Sequence, residues 1–187
     1  MALSINDLKN GLTILIDEQP YIILDSQFVK PGKGAAFTRC KARNLKTQNV
    51  LERTFRGDEK IEEAYIEESK LQYQYNSGDM FHFMDTENYE DKAIARDVLG
   101  DKVDFLKDNM EISAYSYKNE ILNVNLPNFV VYTITHSEPG IKGDTAKAGT
   151  KPATIESGAV VNVPLFVNEG DKIKVDTRTG NYIERAA

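Results

Sequence analysis

The stretch Phe37-Thr38-Arg39-Cys40-Lys41-Ala42-Arg43 decides the fold class, because its side chains alternate between two kinds. Alternate residues of an extended strand point to opposite faces. One face therefore holds three cations and the other three small residues: Arg39, Lys41 and Arg43 against Thr38, Cys40 and Ala42. The pattern predicts a β-strand that buries one face, and its cations form either an ordinary solvated surface or a binding surface.

Strand-like segments of this kind recur along the chain at short spacing. They lie at 12–16, 21–28, 35–43, 48–55, 71–75, 80–84, 110–117, 121–124, 129–136, 159–167 and 172–176. Turn residues such as Asn76-Ser77-Gly78-Asp79 and Thr179-Gly180-Asn181 separate them. We therefore predict an all-β protein. The exception is 89–109, whose apolar spacing predicts short amphipathic helices broken at Gly100.

Length and turn spacing favour several small barrels over one large sandwich. The 187 residues divide into three sets of short strands, with shifts in charge near residues 64 and 127. Sets of about 60 residues suit SH3-like barrels and oligonucleotide/oligosaccharide-binding (OB) barrels. We predict three domains, at 1–64, 65–127 and 128–187.

Composition excludes several classes of protein. The chain is 41% hydrophobic and 28% charged, which is typical of a soluble globular protein. Its uncharged apolar runs are too short for a membrane span, and the N-terminal segment lacks a signal-peptide core, so we expect a cytoplasmic protein without membrane partners. One cysteine and two distant histidines, Cys40, His82 and His136, predict neither a metal site nor a disulfide.

Net charge alone argues against a nucleic-acid partner, but its distribution does not. The chain carries −6, and residues 65–127 hold 6 basic and 13 acidic residues. By contrast, six cations and no acid fall between Lys30 and Lys46. A local basic patch can bind phosphates even when the whole protein is acidic. We expect this patch to face RNA, and the acidic middle to face away from RNA or toward a basic protein.

The loop before the predicted strand 37–43 is the next feature that indicates a function. It reads Val29-Lys30-Pro31-Gly32-Lys33-Gly34-Ala35-Ala36. Pro31 restricts φ, while Gly32 and Gly34 permit positive φ on both sides of Lys33. The loop therefore presents the Lys33 ammonium at its tip. An ordinary solvent-facing hairpin has the same composition.

Three separated motifs resemble the bacterial elongation factor P family, which is related to the eukaryotic and archaeal factor that carries hypusine. The first is the loop Phe28-Val29-Lys30-Pro31-Gly32-Lys33-Gly34-Ala35-Ala36-Phe37. The second is Glu138-Pro139-Gly140-Ile141-Lys142-Gly143-Asp144-Thr145-Ala146. The third runs from Gly158 through Val167 and continues at Gly170-Asp171-Lys172-Ile173-Lys174-Val175-Asp176-Thr177-Arg178. Together with length and order, the motifs extend the resemblance over the whole chain.

The resemblance implies an elongated, L-shaped protein similar in shape to tRNA, with an N-terminal SH3-like (KOW-type) domain followed by two OB domains. It implies a translation elongation factor that is not an enzyme. Such a factor binds the ribosome between the peptidyl and exit sites, contacts peptidyl-tRNA and relieves stalling at consecutive prolines. We expect a monomer without cofactor or metal.

The resemblance also assigns residues. The family's modified tip residue corresponds to Lys33, in the loop formed with Pro31, Gly32 and Gly34. The loop near the exit-site codon on the small subunit corresponds to Gly143, Asp144 and Thr145. The basic residues near the tip are candidate tRNA contacts: Lys30, Arg39, Lys41 and Arg43. Relatives with arginine at the tip receive rhamnose. Lysine excludes that modification and leaves β-lysylation, an aminopentanol-type group or a bare amine, with a lysine-modifying enzyme as a possible partner.

Other interpretations remain open. OB barrels also bind single-stranded nucleic acid by stacking bases on aromatic residues, so a general single-strand-binding protein is the alternative function. However, Tyr73, Tyr75, Phe81 and Phe83 lie at strand spacing beside acidic residues, which favours packing. An enzyme with Lys33 as a Schiff-base amine would need a desolvated lysine, which a glycine-flanked tip does not offer. The acids Asp85, Glu87, Glu90 and Asp91 suit a solvated helix start better than a Mg²⁺ site.

Overall fold

A computed structural model describes residues 2–57, 59–139 and 149–186, and most of their regular structure is β-strand. The all-β prediction is confirmed. The first six strands are β1 (Ala2–Leu3), β2 (Thr13–Ile16), β3 (Gln19–Val29), β4 (Phe37–Asn44), β5 (Val50–Arg56) and β6 (Ile61–Glu62). Antiparallel pairing gives a four-stranded sheet in the order β2-β3-β4-β5, while β1 pairs with β6. We call the four-stranded sheet the loop-bearing sheet.

A compact apolar core lies against the inner face of the loop-bearing sheet. Its buried members are Ile5, Leu8, Ile14, Ile16, Ile23, Cys40, Ala42, Phe55 and Ile61. The Thr38 hydroxyl, also buried, donates a hydrogen bond to the Ile5 carbonyl at 2.8 Å. This bond connects the deciding strand β4 to the N-terminal segment and satisfies the polar group on its inner face.

A β-bulge interrupts the pairing of β3 with β4. Ile23 lies opposite Ala42, but the next regular pair is Asp25 with Lys41, so Leu24 is the extra residue. From there the register runs without interruption to Val29 opposite Phe37. Bulges bend a strand and increase its twist, so the end of the hairpin that carries the loop is set at an angle to its base.

The middle sheet has five strands and two short helical segments. Its elements are β7 (Glu67–Ser77), β8 (Met80–Asp85), β9 (Asp91–Ala95), α1 (Arg96–Leu99), a 3-10 helix (Gly100–Phe105), β10 (Glu111–Tyr117) and β11 (Glu120–Asn125). The strand order is β11-β10-β7-β8-β9. Tyr73 packs on Phe83 with ring centroids 5.4 Å apart, and Phe81 is buried beside them, so these aromatics are core residues, as their spacing indicated.

The helical prediction for 89–109 is only partly right. Asp91–Ala95 is strand β9 and pairs with β8, while helical structure is confined to residues 96–105. Within β9 only Ile94 is buried, as expected of an edge strand that contributes one side chain to the core. The break at Gly100 occurs as predicted, because this residue has φ +57 and ends α1.

The acidic residues 85–91 do not begin a helix, so that interpretation was wrong. Asp85 is buried, and its Oδ1 accepts hydrogen bonds from the backbone N–H groups of Glu87 at 2.9 Å and Asn88 at 3.4 Å. The carboxylate therefore closes the turn between β8 and β9. Within the described residues, no group of three or more potential ligands is arranged to hold a metal ion.

The last five strands form a third antiparallel sheet. They are β12 (Phe129–Ser137), β13 (Thr150–Ile155), β14 (Val160–Pro164), β15 (Lys172–Asp176) and β16 (Asn181–Ala186). Their order is β14-β13-β12-β15-β16. We call this the C-terminal sheet, and its inner side chains include the fully buried Tyr132, Val163 and Ile173.

The chain divides into two compact units. One comprises Met1–Glu68 with Ala114–Asn123, and the other comprises Ser69–Ser113 with Val124–Ala187. The three-domain boundaries at 64 and 127 therefore remain a prediction. In the second unit, the Tyr132 hydroxyl donates to the Phe105 carbonyl at 2.5 Å, and Lys107 pairs with Glu156 at 3.0 Å. These contacts join the 3-10 helix to the C-terminal sheet.

Among the helices of the described residues, none is both long and apolar enough to span a membrane.

Candidate functional site

The loop between β3 and β4 comprises residues 30–36, with Lys33 as its central residue. Gly32, Lys33 and Gly34 are all exposed. Within the described residues, no hydrogen bond or ion pair holds the Lys33 ammonium. The amine is therefore accessible to a partner.

The two glycines that flank Lys33 differ in conformation. The sequence permits a positive φ at both, and only Gly34 adopts one, at +112. A Cβ added at Gly34 would lie 3.8 Å from the Pro31 ring, and one at Gly32 would meet nothing within 4 Å. The backbone therefore requires glycine at position 34, while Gly32 leaves open space beside the lysine.

Strand β4 has the two faces that its sequence predicts. Thr38, Cys40 and Ala42 are buried, and Arg39 and Lys41 are exposed. Arg43, at the far end of the row, is half-buried. Burial raises the pKa of the Cys40 thiol to about 11, with a further contribution from the Asp25 carboxylate. Cys40 is thus a protonated core residue and not a nucleophile.

Cross-strand neighbours distinguish the three cations of β4 from one another. Lys41 lies opposite Asp25 on β3 and opposite Glu52 on β5. Both carboxylates share its face and reduce the positive potential around it. Arg39 instead lies between the uncharged residues Gln27 and Thr54. The row is therefore most strongly basic at its loop end.

A fourth cation on this face was missed in the sequence. Arg56 lies opposite Phe37, on the outer face of the edge strand β5 and diagonal to Arg39. The predicted strand ended at residue 55, one residue short of Arg56. Continuing the alternation by one more residue would have found this arginine.

The remaining predicted site residues lie outside strand β4. Lys30 is exposed in the loop, beside Pro31. Gly143, Asp144 and Thr145 lie outside the described residues. Next to that segment, Lys151 is buried and its ammonium donates to the Glu138 carbonyl at 2.7 Å.

The four aromatic residues considered for base stacking, Tyr73, Tyr75, Phe81 and Phe83, offer little free surface. Of the four considered, only Tyr75 is exposed, and it stacks on the His82 ring with centroids 4.5 Å apart. His82 Nδ1 lies 3.2 Å from an Asp91 carboxylate oxygen. This stack adjoins acidic side chains, which repel a phosphate backbone.

Three family models match consecutive parts of the chain. Residues 4–61 match the elongation factor P KOW-like domain, residues 66–124 the elongation factor P OB domain, and residues 130–185 the elongation factor P C-terminal domain. The predicted combination of a KOW-type domain with OB domains is therefore confirmed.

Curated relatives match over nearly their full length. The elongation factor P of Natranaerobius thermophilus is 53% identical over 180 residues, which are 96% of this chain and 96% of the relative. The elongation factor P of Desulfitobacterium hafniense is 49% identical over 184 residues, which are 98% and 100% of the two chains.

A solved structure of a translation initiation factor is also similar to this chain. The translation initiation factor 5A from Methanococcus jannaschii has a TM-score of 0.54 and 25% identity, covering 67% of this chain and 94% of its own. Taken with the family models and the curated relatives, these likenesses show that the chain belongs to the elongation factor P family of translation elongation factors.

Proposed function

We propose that the protein binds the ribosome between the peptidyl and exit sites, beside peptidyl-tRNA, and stimulates peptide-bond formation at consecutive prolines. One observation carries the proposal: Lys33 is the exposed central residue of a loop held by a hairpin whose base is buried in an apolar core. Membership in a family of translation elongation factors supports it. The ribosome remains the catalyst.

Consecutive prolines present a problem of alignment. The proline ring restricts φ and also limits the residue before it, so a nascent chain ending in prolines has few conformations that suit the reaction. A factor that positions the reacting ester raises the rate without supplying a chemical group. Such positioning can contribute several kcal/mol to lowering the barrier, on the order of 7 in favourable cases.

Lys33 supplies that positioning in our proposal. Its ammonium contacts the backbone or the ribose hydroxyls at the acceptor end of peptidyl-tRNA, which are the groups by which proteins recognise RNA shape. The nearby cations Lys30, Arg39, Lys41 and Arg43 contact phosphates of the same tRNA. Such contacts increase affinity and fix orientation without reading the sequence. By the family resemblance, Gly143, Asp144 and Thr145 contact the exit-site codon region of the small subunit.

A covalent modification would extend Lys33 toward the reaction centre. The open space beside Gly32 and the exposed loop leave room for an enzyme to reach the amine. We propose that a lysine-modifying enzyme lengthens this side chain with a group that carries its own amine. Intact mass of the natively expressed protein, followed by mapping of the peptide that contains Lys33, tests this. An unshifted mass would make the bare lysine the working group.

The central experiment compares Lys33→Ala with Lys60→Ala in a reconstituted translation system. Lys60 is also an exposed lysine but lies outside the loop, so both variants lose one positive charge. We expect Lys33→Ala to slow synthesis of a reporter with three consecutive prolines about tenfold or more, because the lost positioning is worth at least ~1.4 kcal/mol. A reporter without prolines should be translated at the wild-type rate.

Ribosome binding, measured separately, decides how a loss of activity is interpreted. If Lys33→Ala binds normally and still translates the proline reporter at the wild-type rate, the role of the tip is wrong. If both lysine variants lose activity in parallel, net charge and not the tip carries the effect.

A further inference from the structure

An open pocket lies on the outer face of the loop-bearing sheet, beside the base of the Lys33 loop. Its volume is about 500 Å³, and it is lined by Ala35, Phe37, Arg39, Thr54 and Arg56. Phe37 and Ala35 come from the strand start and the end of the loop, while Thr54 and Arg56 come from the edge strand β5. The pocket thus combines an apolar wall, a hydroxyl and two guanidinium groups.

Within the described part of the chain, neither guanidinium group is held by an internal partner that would compete with a ligand. Arg39 and Arg56 are exposed, and neither forms an ion pair among the described residues. The nearby carboxylate of Glu59 is occupied, since it accepts the Arg56 backbone N–H at 3.0 Å and pairs with Arg53 at 3.4 Å. Two arginines that line one pocket, without an ion pair among the described residues, create a site for an anion.

The shape of the arginine side chain indicates which anion fits. A guanidinium presents several N–H donors in a planar fork, and this fork matches the oxygens of phosphate. The Thr54 hydroxyl offers a further donor. The apolar wall formed by Phe37 suits a ribose or an unpaired base, since aromatic side chains stack on either face of any base. A phosphodiester attached to an unpaired nucleotide uses every part of this lining.

The rest of the basic row is less suited to this ligand. Lys41 lies between Asp25 and Glu52, whose carboxylates compete with a phosphate for its ammonium. Arg43 is half-buried and lies opposite the apolar residues Ile22 and Val50. The strongest phosphate site is therefore the pair Arg39 and Arg56, and not the continuous row along β4.

We propose that Arg39, Arg56 and Thr54 bind a backbone phosphate of a single-stranded RNA segment, with Phe37 contacting the attached nucleotide. The identity of that segment rests on the proposed function: it is the part of the tRNA next to the part that Lys33 contacts. The site fixes the approach of the RNA strand to the loop, so Arg56 is a binding residue in addition to those of β4.

The first experiment measures the site in the isolated full-length protein. Arginine side-chain Nε–H signals are followed by NMR at low salt while inorganic pyrophosphate or a uridine tetranucleotide is added. We expect saturable shifts at Arg39 and Arg56, tighter binding of the tetranucleotide, and little change at Arg53, which is already paired. Equal shifts at every arginine, or none at Arg39 and Arg56, would overturn the proposal. A response to pyrophosphate with none to the tetranucleotide would reduce the site to a simple anion site and also overturn it.

The second experiment compares two double variants that lose the same charge. Arg39→Ala/Arg56→Ala should weaken binding to ribosomes carrying peptidyl-tRNA by about tenfold per arginine, because hydrogen bonds to charged groups are strong. Its slope of log affinity against log salt should fall by about 1.4, the value for two lost phosphate contacts to a single strand. Lys41→Ala/Arg43→Ala should lose clearly less affinity for the ribosome, and its salt slope should fall by clearly less. Equal losses in the two variants would contradict the site.

The two proposals can fail separately. If Lys33→Ala leaves proline synthesis unchanged while the NMR shifts at Arg39 and Arg56 persist, the function is wrong and the phosphate site stands. If Lys33→Ala slows proline synthesis but the two double variants bind alike, the function stands and the phosphate site is wrong.

Discussion

The loop-bearing sheet and the C-terminal sheet differ in how they use their basic residues. On the outer face of the loop-bearing sheet, no ion pair holds Arg39 or Arg56 among the described residues. In the C-terminal sheet, Arg178 makes two hydrogen bonds to Asp176, at 3.0 and 2.7 Å, and Arg185 pairs with Asp171 at 2.7 Å. Both regions are rich in charge, but of these four arginines only Arg39 and Arg56 of the loop-bearing sheet have no ion pair among the described residues.

The difference teaches that a count of charges does not locate a binding surface. Residues 128–187 hold 7 basic and 7 acidic residues, and residues 1–64 hold 10 and 9, so both are close to neutral. A cation already paired with a carboxylate must give up that contact before it binds an external phosphate. The state of pairing, and not the number of cations, distinguishes a surface for a partner from one that stabilises the fold.

The largest expected effect concerns the inner face of the loop-bearing sheet, opposite the face that carries Arg39 and Arg56. Cys40→Asp places a carboxylate in the apolar core, and we expect it to destabilise the first unit by about 4 kcal/mol or more, because the charge has no partner there. Lys41→Gln, one residue away on the outer face, should change stability by less than about 0.5 kcal/mol. Urea denaturation followed by circular dichroism measures both. Similar losses would mean that β4 does not separate core from surface.

The Cys40 thiol gives a second, chemical test of the same core. Its pKa of about 11 exceeds that of an ordinary cysteine by roughly 2 units, so its thiolate population at pH 8 is about 100-fold lower. We expect labelling by a thiol reagent to be at least that much slower in the folded protein than in urea. Rapid labelling without denaturant would show that the loop-bearing sheet opens locally and exposes Cys40 to solvent.

Tyr132→Phe tests the contacts that hold the C-terminal sheet. Burial raises the pKa of the Tyr132 hydroxyl, which donates to the Phe105 carbonyl at 2.5 Å. Removing this donor leaves a carbonyl without its partner, so we expect a loss of about 1–2 kcal/mol in the free energy of unfolding. Tyr75→Phe, at an exposed ring, is the matched control and should have almost no effect. Equal stability of the two variants would contradict the role of the Tyr132 hydrogen bond.

The smallest expected effect concerns the pH dependence of the second unit. Burial alone raises the pKa of Glu156, but hydrogen bonds from the Thr133 backbone N–H and the Lys107 ammonium outweigh it and lower the pKa. Folding therefore favours the ionised form, and the contribution of Glu156 to stability is present above its unfolded pKa of about 4.3 and lost as pH falls through the lower folded pKa.

Glu156→Gln should reduce stability at pH 7 by about 1 kcal/mol, since the partly exposed pair with Lys107 is screened by solvent. The gap between variant and wild type should close as the pH falls from 5 to 3, in urea denaturation at each pH. A gap that stays constant over this range would show that Glu156 acts through packing and not through its charge.

Much of the loop-bearing sheet could be predicted because its signals are local. Side-chain alternation in 37–43 depends on the strand alone and correctly separated Cys40 from Arg39 and Lys41. The exposed position of Lys33 followed from the proline and glycines around it. By contrast, the difference between Arg39 and Lys41 depends on residues of β3 and β5, and their register is a property of the folded sheet.

The errors have the same origin. Residues 91–95 have apolar spacing that suits a helix, but pairing with β8 makes them a strand, since tertiary contacts override local preference. Asp85 lies in an acidic run that resembles a helix start, yet its carboxylate closes a turn. The sequence also could not show which of the two loop glycines adopts positive φ, since the closure of the hairpin selects Gly34.

The bulge at Leu24 determines which way one carboxylate points. With unbroken alternation after the buried Ile23, Asp25 would lie on the inner face opposite Cys40, where an unpaired charge cannot be accommodated. The extra residue shifts the alternation by one position and brings Asp25 beside Lys41. Deleting Leu24 would therefore remove the bulge with its bend, but it would leave Asp25 opposite Lys41 and residues 25–29 on their present faces. The bulge thus admits one additional residue into β3 without turning a carboxylate into the core.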